Sequence, residues 1–119
     1  MDKTVVELFA GVGGFRLGLD KSGWKTIYAN QWEPGKKNQW AFDCYDKHFK
    51  DSINSNEDIA SVNASEIPSH TLLVGGFPCQ DYSVASTLIN SKGIEGKKGV
   101  LWWEIRRIAE EKKPNFILL

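Results

Sequence analysis

Two short stretches of this chain carry residue types that could do chemistry. The first is Gly76-Phe77-Pro78-Cys79-Gln80, just past the apolar run Thr71–Gly75. A thiol at the C-terminal end of a strand, held by a proline, stands where open α/β folds keep their ligands. A free thiol has a pKa of about 8.5, so little is thiolate at neutral pH, and a helix N-terminus or nearby donors would enlarge that fraction. Position alone also allows a buried structural cysteine. That second reading suits Cys44, which falls on the apolar face of an expected helix and is assigned no role. His48 and His70 lack the context of a Cys/His couple. The second stretch is Phe9-Ala10-Gly11-Val12-Gly13-Gly14. Its glycines let the backbone approach a ligand, and the N–H groups that open the next helix favour an anionic or polar group. A tight turn with no ligand is the alternative. In a Gly-x-Gly-x-x-Gly pattern the third position would fall on Arg16, which argues against ordinary dinucleotide binding.

Two further positions bear on a ligand. Asn30-Gln31-Trp32-Glu33 stands about 20 residues past the glycines, where dinucleotide folds place an acid that holds a ribose. Trp32 could stack on a purine, and Gln31 or Glu33 could bond ribose hydroxyls; equally, Trp32 could pack in the core and Glu33 cap a helix. Asp58, before Ile59, could accept a hydrogen bond from an adenine amine, or serve as an ordinary turn residue.

The elements that must position these residues alternate. Thr4–Phe9 reads as a strand, followed by a short helix carrying Phe15 and Leu19 that stops near Gly23. Trp24–Ala29 reads as a second strand. Pro34-Gly35 is expected to open a second helix with Trp40, Cys44 and Tyr45 on one face. Ile59 with Val62 is expected to form a third strand, and Thr71–Gly75 a fourth. Asp81–Gly99 reads as a long loop. Val100–Lys113 is an amphipathic helix with Leu101, Ile105 and Ile108 on one face, stopped by Pro114. Phe116–Leu119 is expected to start a further buried strand. Strands alternating with helices imply a mostly parallel sheet with right-handed crossovers and helices on both faces.

Composition narrows the class. The chain has 119 residues, two cysteines, and 15 basic against 15 acidic residues. That length suits one domain burying roughly 65% of its unfolded surface. Two dissimilar, distant cysteines suggest free thiols in a reducing compartment. No apolar run approaches the ~20 residues a bilayer requires. A self-sufficient DNA-binding domain is usually basic. Here the charge is uneven: residues 1–91 carry 8 Lys/Arg against 11 Asp/Glu, and residues 92–119 carry 7 against 4.

Together these motifs resemble the cytosine-C5 DNA methyltransferases, from Val5 to Leu119. Phe9–Gly14 looks like that family's S-adenosylmethionine loop, Gly76–Gln80 with Ser83 looks like its nucleophile motif, and Gly99–Ile105 resembles its Gly-x-Leu-aromatic-aromatic helix start. The resemblance implies a Rossmann-like methyltransferase fold, truncated after about the fifth strand. It implies a cofactor set of Phe9, Ala10, Gly11, Gly13, Gly14, Gln31, Trp32, Glu33, Asp58, Ile59, Phe77 and Leu101. It makes Cys79 the nucleophile that adds to C6 of a flipped cytosine in duplex DNA, with Pro78 and Gln80 beside it. It gives Gln80, Ser83, Lys92, Lys97 and Lys98 to DNA contact, the lysines being equally readable as a solvated loop. No metal is expected. A bacterial or phage modification enzyme, paired with restriction and working in the cytoplasm, is the implied setting.

There are two departures. The family usually has an acid where Gln31 stands, so Glu33 is preferred as the ribose ligand. The family's Glu-Asn-Val motif, its later arginine motif and its target recognition domain are not in these residues. The expected reading is therefore the N-terminal part of a catalytic domain, residues 1–119, partnered by the missing C-terminal part or a complementary subunit and inactive alone. An RNA cytosine methyltransferase and a non-catalytic nucleotide-binding module or nicotinamide-dependent dehydrogenase stand as alternatives.

Overall fold

The computed structural model describes residues 2–76 and 101–119. Five parallel strands form one sheet in the order β3-β2-β1-β4-β5: β1 Thr4–Leu8, β2 Lys25–Asn30, β3 Ile53–Ser55, β4 Leu72–Gly75 and β5 Phe116–Leu118. β1 is central because Val5, Val6 and Leu8 are fully buried, and a parallel strand covered on both faces reads as a near-continuous apolar run. It pairs with β2 on one side and β4 on the other, with a register shift between Val5 and Val6 on the β2 side. The mostly parallel α/β architecture expected from the alternating pattern is thus present.

Alternation along β1 separates the two faces. Val6 and Leu8 pack with Tyr28, Leu73, Ile105 and Ile108, under helix α3 (Leu101–Lys112). Val5 joins Leu72 and Val74 on the other face, against Leu19 and Trp24. There lie helix α1 (Gly14–Lys21) and, through Tyr45 and Phe49 against Ala10 and Ala29, helix α2 (Trp40–His48) with the residue after it. Ile105 and Ile108 are 1% and 0% exposed, each contributing roughly 1.5–3 kcal/mol by leaving water.

Four expectations are corrected. Pro34-Gly35 does not open α2: Gly35 sits in a turn at φ 75°, and the helix begins at Trp40. Trp40 does not share the buried face with Tyr45; it is 75% exposed at the helix start. Ile59 and Val62 are not a strand. They belong to a pair of 3₁₀ turns, Ile59–Ser61 and Ala64–Glu66, capped by Asp58 and Asn63 side chains that accept from Ala60 and Ser65 N–H. The third strand is the polar Ile53-Asn54-Ser55, an edge strand whose composition gives no apolar signal. Finally, β5 is not buried: Phe116, Ile117 and Leu118 are 52%, 50% and 41% exposed at the other edge.

Candidate functional site

The C-terminal ends of β1, β2, β3 and β4 bring the sequence-selected residues to one rim of the sheet. After β1 the chain turns sharply through Phe9 at φ 54°, Gly11 at φ 59° and Gly13 at φ 97°, and Gly13 then caps α1 with no side-chain cap. The turn closes on itself through Gly13 N–H donating to Ala10 O at 3.1 Å, and it joins β2 through Ala10 N–H donating to Asn30 O at 3.1 Å. Beside it, Gly76 leaves β4 with its N–H on Leu8 O at 3.3 Å. Phe9, Ala10, Gly11, Gly14, Phe15 and Gly76 line an open, mainly apolar cleft of about 520 Å³. It lies between β1 and β4, where successive connections leave in opposite directions and doubly wound sheets bind ligands.

The glycines of the turn have different jobs. A Cβ at Gly13 would lie 2.4 Å from Phe49 Cε2 and 3.2 Å from Tyr45 Cδ2, so this residue is glycine for reasons internal to the protein. Gly14 needs no left-handed φ, and among the described residues a Cβ there would meet nothing within 4 Å. Neither backbone nor packing demands glycine at 14; the room it leaves faces outward, at the cleft and the start of α1. Such a cradle fits a ligand that presses against backbone N–H groups.

The adenosine end of the expected site is held by Gln31, which the sequence singled out, and by Gln39 and Asn56, which it did not. Gln31 Oε1 accepts the Gly11 N–H at 2.8 Å, tying the segment after β2 to the turn after β1. Asn56 Nδ2 donates to Gln31 O at 2.7 Å. Gln39 grips Glu33 at both main-chain groups, accepting its N–H at 2.8 Å and donating to its C=O at 2.9 Å. Trp32, 36% exposed, and Glu33 therefore ride on a clamped segment. Asp58 spends Oδ1 on its 3₁₀ turn at 3.0 Å, and Ile59 is buried in the core. Gln39 and Asn56 carry no motif; an amide side chain that bonds main chain across a turn leaves no spacing signature.

Beneath the turn lies a polar cluster that also escaped the motif reading. Glu7, on β1, is 1% exposed, and Arg16, on α1, is 2% exposed. Tyr45 Oη donates to Glu7 Oε1 at 2.9 Å and accepts from Arg16 Nη1 at 3.1 Å. Burial pushes the Glu7 carboxyl up from 4.5 to about 7, against the lowering effects of Tyr45 and Arg16. Burial, with Glu7 beside it, pushes the Tyr45 phenol far above its usual range. The clue was a glutamate inside an otherwise apolar central strand, since a buried charge requires partners.

Phe77, Pro78, Cys79, Gln80, Ser83, Lys92, Lys97 and Lys98 lie outside the described residues, as does the stretch Asp81–Gly99 expected to be a loop; Leu101 opens α3. Among the described residues, no group of three or more His, Cys, Asp or Glu could hold a metal, and no helix is long and apolar enough to cross a membrane.

A parallel sheet with its glycine turn on the central strand and an open cleft at the crossover point define a Rossmann-like α/β fold. The family model for C-5 cytosine-specific DNA methylase matches residues 3–119, and the chain belongs to that family. It is 57% identical over 120 residues to the Type II methyltransferase M.Sau3AI of Staphylococcus aureus, covering 97% of this chain and 29% of that protein. It is 38% identical to the Type II methyltransferase M.HhaI of Haemophilus parahaemolyticus, covering 96% of this chain and 32% of that protein. A solved structure described as a DNA modification methyltransferase encoded within an E. coli prophage superimposes with a TM-score of 0.73 at 26% identity, over 96% of this chain and 30% of that one. The chain thus spans about a third of the length of these relatives.

Proposed function

We propose that these residues are the cofactor-binding and nucleophile-bearing part of a DNA (cytosine-5-)-methyltransferase that uses S-adenosylmethionine. The observation that carries the cofactor reading is the outward room at Gly14 beside the cleft, in a chain of this family. Phe9, Ala10, Gly11 and Gly14 would hold the methionine end. Gly13, packed on Phe49, would shape the turn rather than touch the ligand. Trp32 would stack on the adenine and Asp58 would accept from its amine, with Ile59, Phe77 and Leu101 closing the pocket. Glu33 remains the preferred ribose ligand, because the Gln31 side-chain oxygen Oε1 already accepts from Gly11 N–H. When bound, S-adenosylmethionine supplies a methyl carbon made electrophilic by its sulfonium.

In this reading Cys79 thiolate adds to C6 of a cytosine flipped from the duplex, and the electron pair of the C5–C6 double bond makes C5 nucleophilic. After methylation a base removes the C5 proton, its bonding pair restores the double bond, and the Cys79–C6 bond breaks to return the thiolate. Pro78 fixes the approach of the cysteine, and Gln80 fills the space left by the flipped base. Ser83, Lys92, Lys97 and Lys98 contact phosphate. The relatives are named as Type II methyltransferases, and the family is one of DNA methylases, so an RNA substrate is not favoured. The partner proposed for the chain is the rest of such a catalytic domain, continuous or separate. It would cover the outer edge of β5 and supply the remaining catalytic acid and DNA-reading surface. A cytoplasmic setting goes with this reading.

Titration calorimetry with S-adenosylmethionine and with NAD tests the cofactor; binding of NAD alone would overturn the proposal. Mixing the chain with the remaining two-thirds of M.Sau3AI tests the reaction. Methyl transfer to DNA is expected only in the mixture, and is expected to vanish in Cys79→Ser. Activity of that variant, or full activity of the chain by itself, would contradict the assignment.

A further inference from the structure

Arg16 stands where dinucleotide-binding turns use a third glycine to let helix and strand pack closely. Here the position is filled by the longest cationic side chain, and it is buried. Its guanidinium lies over the Phe49 ring, 4.3 Å from the centroid. It donates to Tyr45 Oη at 3.1 Å, to Ser52 Oγ at 2.7 Å and to Asp51 Oδ1 at 2.6 Å. Phe49 and Tyr45 in turn pack on each other, with centroids 4.7 Å apart, and together they form the wall against Gly13. One side chain from the first turn of α1 thus sets both rings that bear on the turn before it. Nothing smaller than a planar, forked cation could stack on one ring and bond the hydroxyl of the other.

We infer that Arg16 is a positioning residue for S-adenosylmethionine: it presses Phe49 and Tyr45 against Gly13 and so holds the Gly11–Gly14 backbone in its receiving shape. This rests on the cofactor reading above. Arg16 acts through the rings and does not line the cleft. Arg16 Nε is buried without a partner among the described residues, and Asp51, its ionic partner, is 69% exposed. Water reaching Asp51 screens that pair, so the position of Arg16 over the rings, as well as the ion pair, accounts for the residue.

The test compares Arg16→Met, Arg16→Lys and Phe49→Leu with the unaltered chain. It uses calorimetry with S-adenosylhomocysteine, residue-level amide exchange and thermal melting. Each variant is expected to weaken binding about tenfold. Each should speed exchange at the Gly13–Arg16 amides while leaving the Leu72–Val74 amides protected. Arg16→Met/Phe49→Leu should lose little more than either single variant, because both break the same contact. Unaltered binding in Arg16→Lys and Phe49→Leu would overturn the inference. So would a loss that follows a uniform rise in exchange across the sheet, which marks a merely structural role. Should the unaltered chain bind no S-adenosylhomocysteine, the cofactor reading fails. The exchange pattern at the turn then still decides whether Arg16 shapes it.

Discussion

The two sides of the central strand are built on opposite principles. On the β2 side, the turn, α1 and α2 are locked by directional contacts: Gln31 to Gly11, Gln39 to Glu33, and Arg16 to Tyr45 to Glu7. On the β4 side, α3 packs chiefly through apolar area, with Ile105 and Ile108 in the core and one directional tie from Arg107 Nη2 to Ile59 O at 3.0 Å, and the sheet ends in the half-exposed strand β5. Directional contacts fix atoms to tenths of an ångström, as a cofactor site requires. Non-directional packing adds stability but leaves the edge able to accept further structure. In the reading proposed above, the β2 side is the firmly fixed part of the cofactor site, and the β5 edge is where the proposed partner would dock.

Substitutions can break this contrast. Ile108→Ala, in the apolar half, should cost most, about 4 kcal/mol of unfolding free energy by urea titration. A cost below about 1 kcal/mol would mean that α3 is not seated as described. Gly13→Ala should follow at about 3 kcal/mol, combining a left-handed backbone with a clash on Phe49. Gly14→Ala should leave stability almost unchanged and weaken cofactor binding instead; equal stability losses at the two glycines would erase their division of labour.

The buried acid gives a pH signature. Glu7 has a folded pKa of about 7 against 4.5 when free, so the folded chain holds the proton more tightly. Its contribution is complete below pH 4.5 and is lost as pH rises through 7, amounting to about 3 kcal/mol. Denaturation at pH 5 and pH 7.5 should show that slope, and Glu7→Gln should flatten it. A Glu7→Gln profile parallel to the original would show that the carboxyl is already paired as an anion. The smallest effect belongs to the open edge. Ile117→Ser should change the stability of the chain by less than about 0.5 kcal/mol, yet reduce methyl transfer in the mixture with the relative's remainder.

The same contrast explains what was legible in the sequence. β1, β2 and β4 announced themselves because β-branched residues fill a sheet buried on both faces. The glycine turn was readable because φ values that other residues resist leave a compositional trace. β3 was missed because an edge strand of Ile, Asn and Ser has no apolar pattern, and Ile59 and Val62 drew the assignment by being apolar in a turn. Arg16 was noticed only as a glycine that was not there. Its role depends on Tyr45 and Phe49, far away in the chain, and no local pattern carries that information.

The strand order also dictates a timetable. β1 is made first but sits between β2 and β4, and its β4 partner is made long after β2. At synthesis rates of about 5–20 residues per second, one flank of the central strand waits unpaired for several seconds. During that interval the nascent chain presents a sticky, unprotected edge. Chaperone capture or early misassembly is therefore expected to centre on Val5–Leu8, before the turn it carries has anything to hold.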